Sequence, residues 1–405
     1  MSNIPKLRFP EFSGEWEEKK LSDIASFSKG KGYTKNDLVN DGSPIILYGR
    51  MYTKYETVIS DIDTFVNLQE GSIISKGGEI IVPASGETAE EISRASVVKN
   101  KGIILGGDLN IISLQKDKYN PEFFALTISS GTSQKRLSKL AQGKSVVHLH
   151  NEDLSGLQIK VPSLAEQQKI ADFLSNVDSI ITAETKILNT LQKKKKALMQ
   201  KLFTQQLRFK SDDGKDFPAW EEKKLGEISS SPKYGLNASG IDYDGEHKYL
   251  RITDIDEVTH TFSPEEITTP SEFSDDYLLE ENDIVFARTG ASTGKTYLYN
   301  PNDGDLYFAG FLIKFHIKDA NARFVFYQTC THEYEKWVHI MSTRSGQPGI
   351  NSEEYSTLKI KLPCKSEQQK IADCLSSLDS LIQNQQNVVT TWQQRKKALL
   401  QQMFV

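Results

Sequence analysis

The feature that most constrains this chain is an internal duplication. Residues 166–181 (EQQKIADFLSNVDSII) and 367–382 (EQQKIADCLSSLDSLI) are identical at 12 of 16 positions, seven of them consecutive, at an offset of 201. Further words recur in the same order: LRF at 7–9 and 207–209, WEEKKL at 16–21 and 220–225, I-K-[VL]-P at 159–162 and 360–363, and K-K-A-L at 195–198 and 396–399. The 405 residues therefore divide into two units of about 200 residues each.

The parts between the repeated words are dissimilar. Residues 25–142 and 229–343 share little beyond short β-rich runs separated by Gly, Asn and Asp turns. Constant ends around a variable middle predict two different recognition surfaces carried on one repeated frame.

Each unit ends in a segment with a heptad pattern of apolar residues and no Pro or Gly. The predicted seam consists of Ile170, Leu174, Val177, Ile181, Leu188, Leu191, Leu198, Ile371, Leu375, Leu378, Ile382, Val389, Trp392 and Leu399. Ser163 and Ser366 are the candidate N-caps of the two helices. A seam over about 38 residues is longer than one domain core is wide, so we expect the helices to pack on each other as an antiparallel coiled coil.

The predicted fold class is α+β, with two mixed α/β globular domains, two long helices packed as an antiparallel coiled coil and a pseudo-two-fold internal repeat. The predicted domains are a first recognition domain at 1–163, a central spacer helix at 164–207, a second recognition domain at 208–363 and a C-terminal spacer helix at 364–405. Three cysteines are too few for a disulfide framework, no apolar run is long enough to span a membrane, and the start of the chain lacks a signal-peptide pattern. We therefore expect a cytoplasmic protein.

The formal charge of −5 is unevenly distributed. It is 0 over residues 1–163, +5 over 164–210, −12 over 211–364 and +2 over 365–405. A globally basic nucleic-acid binder is excluded, and the −12 segment argues against DNA binding unless its charges are segregated by face.

Motifs for catalysis are weak. Residues 289–296 (TGASTGKT) resemble a phosphate loop, but the glycine spacing is one residue short and a strand pattern follows where a helix is required. His148 and His150 have no third ligand nearby, and no methyltransferase or nuclease motif is present. We predict no catalytic residue, no metal site and no cofactor in this chain.

Arg, Lys, Tyr and Gln residues in the variable parts suit contacts to phosphates and base edges, because Arg is bidentate to guanine, Gln to adenine, and Lys binds phosphate. The candidate DNA-binding residues are Lys29, Lys31, Tyr33, Arg50, Lys54, Arg94, Lys144, Lys233, Tyr234, Arg251, Arg288, Lys295, Arg344 and Gln347.

The order of these words resembles the specificity (S) subunits of type I restriction-modification enzymes over essentially the whole chain. The resemblance rests on W-EEKKL, a variable unit, I-x-[VL]-P, EQQKIAD and a long helix, all present twice, and on 249–254, 288–295 and 344–347 in the second unit. The first unit differs, with Pro83-Ala-Ser-Gly-Glu87 where the second has Ala287-Arg-Thr-Gly290. The two domains are therefore expected to read different sequences.

The resemblance implies a non-catalytic, DNA-reading subunit of a bacterial defence system. Each domain would read one half of an asymmetric bipartite site in double-stranded DNA, and the helices would dock two methyltransferase (M) subunits. S-adenosylmethionine, ATP and Mg would be bound by the M and the restriction/motor (R) subunits. Two alternatives remain at this point: a coiled-coil scaffold that reads no DNA, and a P-loop-like nucleotide-binding protein.

Overall fold

The fold described below is that of a computed structural model. The structure describes residues 4–115, 117–141, 146–343 and 347–404. Its contacts divide the chain into two compact units, one formed by Met1–Lys186 with Gln386–Val405 and the other by Ile187–Gln385. Each unit thus takes half of each long helix, whereas the sequence-based division treats the helices as separate segments.

The first unit combines short strands with six short helices, as far as the described residues go. Its strands are β1 Glu17–Lys20, β2 Ala25–Lys29, β3 Leu38–Val39, β4 Ser43–Ile46, β5 Val58–Ile59, β6 Phe65–Val66, β7 Ile74–Lys76, β8 Glu79–Pro83, β9 Ser85–Gly86, β10 Ser96–Val98, β11 Lys101–Leu105, β12 Leu109–Leu114, β13 Val147–His148 and β14 Gln158–Val161. Its short helices are α1 Leu21–Ile24, α2 Arg50–Thr53, α3 Ala89–Ile92, α4 Pro121–Ile128, α5 Gly131–Leu140 and α6 Asn151–Ser155. The long helix α7, Leu164–Phe203, begins in this unit.

The second unit repeats this plan. Its strands are β15 Glu221–Lys224, β16 Lys233–Tyr234, β17 Gly240–Asp242, β18 Lys248–Leu250, β19 Thr268–Pro270, β20 Asp283–Ala287, β21 Thr296–Leu298, β22 Leu306–Phe308, β23 Leu312–His316 and β24 Lys359–Leu362. Its helices are α8 Leu225–Ile228, α9 Ala322–Gln328, α10 His332–Ser342 and α11 Ser352–Ser356, followed by the start of α12, Lys365–Met403.

The main sheets of the two units have corresponding strand orders. In the first unit the order is β2-β12-β8-β10-β5, and in the second it is β16-β23-β20-β21. β12 is antiparallel to both β2 and β8, as β23 is to both β16 and β20. A parallel pair accompanies each sheet, β4 with β11 and β18 with β22. The dissimilar middles of the two repeats therefore fold on one backbone plan.

The repeated sequence words contact one another within each unit. WEEKKL and I-K-[VL]-P pair as antiparallel strands, β1 with β14 and β15 with β24. Gln167 accepts a hydrogen bond from the backbone N–H of Asn120 and donates to the carbonyl of Pro162. Gln368 makes the same two bonds in the second unit, to residues 321 and 363. The constant words are thus the joint that fixes a globular domain to its helix.

The long helices run antiparallel to each other within each unit. In the first unit Lys396 Nζ lies 2.5 Å from Asp178 Oδ1, and in the second Lys195 Nζ lies 2.5 Å from Asp379 Oδ1. Lys195 and Lys396 occupy heptad positions in line with the predicted seam, and these contacts give each lysine a carboxylate partner. All fourteen predicted seam residues are buried or half-buried.

The ends of the seam are built into the globular cores, which the sequence argument did not anticipate. Ile170 and Leu174 pack in the first core with Phe123 and with Met403 and Phe404 from the end of α12. The second core has the corresponding arrangement, with Ile371, Leu375, Met199, Leu202 and Phe203. The helices therefore serve both as a coiled coil and as core elements of each domain.

One of the two predicted N-caps is correct. Ser163 Oγ accepts a hydrogen bond from the Glu166 N–H at 3.4 Å. Ser366 lies inside α12, and the backbone carbonyl of Cys364 accepts the first N–H groups of that helix instead.

Candidate nucleic-acid interface

Arg288 directly follows β20, and its guanidinium is held by three neighbours. Its Nε donates to the carbonyl oxygen of Gly310 at 3.0 Å. Its Cζ lies 5.2 Å from the ring centroid of Tyr234 and 5.9 Å from that of Phe311, and these rings are 40% and 55% exposed. Among the described residues, neither terminal nitrogen has a carboxylate or carbonyl partner. The side chain is oriented, yet its two-pronged donor group remains available.

A neighbouring loop is fastened to the same place. Gly290 N–H donates to the carbonyl of Pro348 at 3.0 Å, and Ile350 N–H donates to the carbonyl of Arg288 at 2.9 Å. Gly290 has φ +75°, and a Cβ there would lie 3.2 Å from Nε2 of Gln347. Glycine at this position therefore lets the exposed Gln347 amide approach the arginine segment.

The first unit has the same backbone arrangement with different side chains. Ala84 N–H donates to the Asp108 carbonyl at 2.8 Å, as Arg288 N–H donates to the Phe311 carbonyl at 3.0 Å. Leu149 N–H donates to the Ala84 carbonyl, which corresponds to the bond that the Arg288 carbonyl accepts. Ala84 therefore corresponds to Arg288, and Asp108 to Phe311.

A third position corresponds through a close backbone approach. A Cβ on Gly30 would lie 1.8 Å from the carbonyl oxygen of Gly106, and a Cβ on Gly235 would lie 2.2 Å from that of Ala309. Only glycine fits at either place, so Lys29 and Tyr234, which precede them, correspond as well. The side chains Arg288, Tyr234 and Phe311 in one unit are thus replaced by Ala84, Lys29 and Asp108 in the other.

Two predicted contacts of the second unit are already neutralised. Arg251 is bidentate to Asp254, with Nε–Oδ2 and Nη2–Oδ1 distances of 2.9 and 2.8 Å, and this pair caps the turn that follows β18. This carboxylate occupies the donor fork of Arg251, and a DNA contact of this residue stays a prediction. Lys295 lies 2.9 Å from Glu257 and is mostly buried.

Arg50 is also a structural residue, which corrects a prediction in the first unit. Its guanidinium is buried and lies 2.6 Å from Asp63 and 2.7 Å from Glu56. Lys54 lies 3.1 Å from the same Asp63, and the hydrogen bond from this lysine lowers the pKa of the Asp63 carboxyl. These cations hold a loop together and leave little charge for a ligand.

Tyr33 is buried too, so the prediction that it contacts DNA is wrong. Its hydroxyl accepts from Gln69 N–H at 2.8 Å and lies 2.6 Å from Ser72 Oγ. Lys29 and Lys31, on either side of the Gly30 contact, are exposed. Of this basic segment, the two lysines are the residues that face solvent.

The remaining predicted residues are partly occupied or outside the described part of the chain. Lys233 Nζ lies 3.6 Å from Asp276 Oδ1, and Arg94 Cζ lies 5.5 Å from the Tyr55 ring centroid. The predicted Lys144 and Arg344 fall outside the described residues.

Two further candidate sites, one for a metal ion and one for a nucleotide, lack features that binding requires in the described residues. Within the described ranges, a group with metal-ligand spacing is Glu280, Asp283 and His316, but Lys314 Nζ lies 3.1 Å from Asp283 and already supplies a positive charge. The phosphate-loop-like segment continues into the strand β21, which leaves no helix N-terminus to hold a phosphate. In the described part of the chain, none of the helices has the length and apolarity needed to cross a membrane.

Comparison with known proteins identifies the family. The family model for the type I restriction modification DNA specificity domain matches residues 13–193 and again 219–391. The chain belongs to this specificity family. The two matches follow the duplication described above, one for each repeat, and a specificity subunit is thus built from two such domains.

Relatives with the same description span the full chain. The MjaVIII specificity subunit of a type I restriction enzyme from Methanocaldococcus jannaschii is 27% identical over 97% of this chain and 92% of its own length. The StySPI specificity subunit from Salmonella potsdam is 23% identical over 96% of this chain and 88% of its own. The crystal structure of the type I S subunit from M. genitalium superposes with a TM-score of 0.61 at 16% identity, covering 99% of both chains. The fold of this family member is therefore that of an S subunit.

Two parts of the arrangement were missed from sequence. Phe311 was not a candidate because a lone aromatic in a strand-rich segment resembles a core residue. Asn120 and Asn321 were missed although their offset is 201, the same as that of the repeated words; this offset is the signal that could have found them.

Proposed function

We propose that this chain is the DNA-reading subunit of a type I restriction-modification enzyme, with each globular domain reading one half of an asymmetric bipartite site. The observation that carries the proposal is a set of three equivalent positions with unequal chemistry in the two units. One backbone frame presents Arg288, Tyr234 and Phe311 in the second unit and Ala84, Lys29 and Asp108 in the first. Because base edges differ in their donors and acceptors, surfaces of such different chemistry select different sequences.

The same proposal assigns no catalytic step to this chain. The partner subunits would bring S-adenosylmethionine, ATP and Mg, and would methylate adenine or cleave DNA. The phosphate-loop-like segment supports this division, since Lys295 is paired with Glu257 and a strand follows it. The S subunit would then contribute sequence selection and the placement of its partners.

Partner docking is supported by a second apolar stripe on the long helices. In the first unit Phe173, Ile180 and Val388 are 36–38% exposed, and Phe173 and Ile180 line a groove together with Trp392. In the second unit Ile187 and Leu381 are 47% and 53% exposed. A two-helix coiled coil buries one seam, so a second exposed stripe at heptad spacing fits additional helices supplied by an M subunit.

A solved relative addresses such an assembly. It was solved to explain the complex assembly and conformational transition of the type I R-M system. It superposes with a TM-score of 0.55 at 16% identity, over 95% of this chain. By analogy we propose two M subunits, and R subunits in the full complex, as partners of this chain.

A footprint of the complex tests the proposal. The chain, co-purified with its methyltransferase subunit, is expected to protect two separate segments of duplex DNA, separated by about one helical turn, ~34–36 Å. Protection of two segments whose sequences recur among bound fragments would support bipartite reading. A complex that protects no DNA would leave the coiled-coil scaffold as the better description.

A further inference from the structure

We infer that Arg288 is a specificity-determining residue of the second domain and that it reads a guanine in the half-site bound there. This inference rests on the proposed DNA-reading function. It concerns one side chain and one base, so it can fail while that function stands.

The terminal nitrogens of Arg288 form a donor fork that is available to a ligand. Arg50 and Arg251 spend their guanidinium groups on carboxylates within the protein. Arg288 spends only Nε, on a backbone carbonyl, which leaves both terminal nitrogens without a partner among the described residues. Two parallel N–H donors match the O6 and N7 acceptors on the major-groove edge of guanine.

The guanidinium of Arg288 is also preorganised for binding. A surface arginine ordinarily samples many rotamers, and ordering it on binding costs free energy. Here the Gly310 carbonyl fixes Nε, and Cζ lies 5.2 Å from the ring centroid of Tyr234 and 5.9 Å from that of Phe311. Tyr234 is itself anchored, since its hydroxyl accepts from the Ser352 N–H at 3.1 Å. The fork is therefore held in one orientation before any ligand arrives.

The aromatic surroundings of Arg288 favour a base over a phosphate, although an arginine fork fits both. Both residues that flank Arg288 are exposed aromatic rings, and neither adds positive charge. Such rings exclude water and make apolar contact with base edges and thymine methyl groups, whereas a phosphate-binding position is favoured by neighbouring cations. The corresponding position in the first domain is Ala84, so the first half-site does not use this contact.

The test compares methylation of DNA substrates by the full chain assembled with its M subunits. In Arg288→Ala, discrimination at one guanine of one half-site is expected to fall about 5- to 100-fold, with the other half-site unchanged. Arg288→Lys is expected to recover only part of it, because a lysine cannot present a fork. Lys318→Ala is the matched control, since it removes one exposed charge at the opposite end of β23.

Two further variants, both at Tyr234, separate the contribution of its aromatic ring to discrimination from that of its hydroxyl. Tyr234→Ala is expected to weaken discrimination at the same guanine, and Tyr234→Phe to weaken it less, because the ring remains while its hydroxyl bond to Ser352 is lost. A uniform loss of activity on all substrates in Arg288→Ala, with a lower salt dependence, would mean a phosphate contact and overturn the inference. Unchanged discrimination would overturn it as well. Failure of the wild-type complex to bind DNA would instead overturn the proposed function.

Discussion

Two glutamates, Glu166 and Glu367, anchor the frame at the residue scale. Glu166 is 1% exposed and accepts from Arg8 at 2.7 and 2.8 Å and from the Trp16 indole N–H at 3.3 Å. Glu367 has the same partners in the second unit, with residues 208 and 220. The hydrogen bond to Glu166 raises the pKa of Arg8. The three repeated words LRF, WEEKKL and EQQ thus meet at one buried carboxylate.

Removing that carboxylate is expected to destabilise the first unit. Glu166→Ala leaves Arg8 without its counter-ion, although its bonds to the Ser13 and Gly14 carbonyls remain, and leaves the Trp16 indole N–H without its acceptor. Removing one partner of a buried ion pair costs about 3–5 kcal/mol. Chemical denaturation of the purified chain measures the effect. Glu11→Ala is the control, because its pair with Lys169 is exposed and worth about 0–1 kcal/mol. Equal losses in the two variants would contradict the assigned role.

A pH dependence follows from His260 in the second unit. Burial lowers the pKa of His260 from its ordinary value of 6.5, and its Nδ1 lies 3.1 Å from the Thr296 carbonyl oxygen. Below pH 6.5 the unfolded chain takes up a proton that the folded one does not, so folding stability falls as the pH drops towards the folded-state pKa.

The variant His260→Asn is expected to reduce this acid sensitivity. Asparagine tolerates the φ of +56° found at this position and carries no titratable group. Denaturation midpoints at pH 7 and pH 6 measure the difference, which is at most about 1.4 kcal/mol per pH unit for one proton. The same pH dependence in variant and wild type would contradict a half-buried histidine that stays neutral in the folded chain.

Residue type alone did not separate reading side chains from structural ones. Arg50, Arg251 and Arg288 look alike in the sequence, and what distinguishes them is the acceptor that each meets after folding. For Arg251 the acceptor is three residues away and was visible as an i, i+3 pair. For Arg50 the two carboxylates reach it through a loop whose path the sequence does not define.

At the element scale, the heptad pattern predicted the long helices closely. Helices of about 38 residues were expected, and α7 and α12 have 40 and 39. The pattern did not reveal that Ile170 and Leu174 belong to a domain core, because a heptad seam specifies that a face is covered without specifying what covers it. The variable strands were harder still, since short apolar runs do not encode their pairing order.

The exposed stripe on these helices gives a prediction about assembly. Ile180→Asp and Leu381→Asp place a charge on equivalent apolar positions. At each position, burial of the wild-type side chain against an M subunit is proposed to contribute about 1.5–3 kcal/mol to binding. Binding of the M subunit is expected to weaken about 10- to 100-fold, measured by titration calorimetry. Ser179→Asp and Ser380→Asp, next to them and exposed, are the matched controls. Equal binding by both pairs would exclude the stripe as a docking surface.

At the scale of the whole molecule, the duplication separates frame from specificity. The repeated words form the same joint in each unit, so either variable middle is expected to fold on either frame. A chain in which residues 229–343 also replace 25–142 is expected to remain folded and to direct methylation to sites with two copies of one half-site. Mapping the methylated sites checks this result. Retention of the original asymmetric site would contradict the separation.

Net charge does not resolve the individual faces of the molecule at this scale, whereas repetition identified its frame. The −12 of residues 211–364 argues against DNA binding unless its charges are segregated by face, and the Arg288 guanidinium lies beside two exposed aromatic rings without an acidic partner among the described residues. Charge sums do not record which face a side chain occupies. The repeated words indicated the frame because both copies keep the same contacts.

The central claim is that one chain reads two different half-sites. The most direct measurement is co-expression of the chain with its methyltransferase subunit, followed by mapping of methylated adenines across a genome. The predicted result is one asymmetric motif with two defined parts separated by a spacer of unspecified bases. A single continuous motif, a symmetric one in the wild type, or no methylation that depends on this chain would contradict the account.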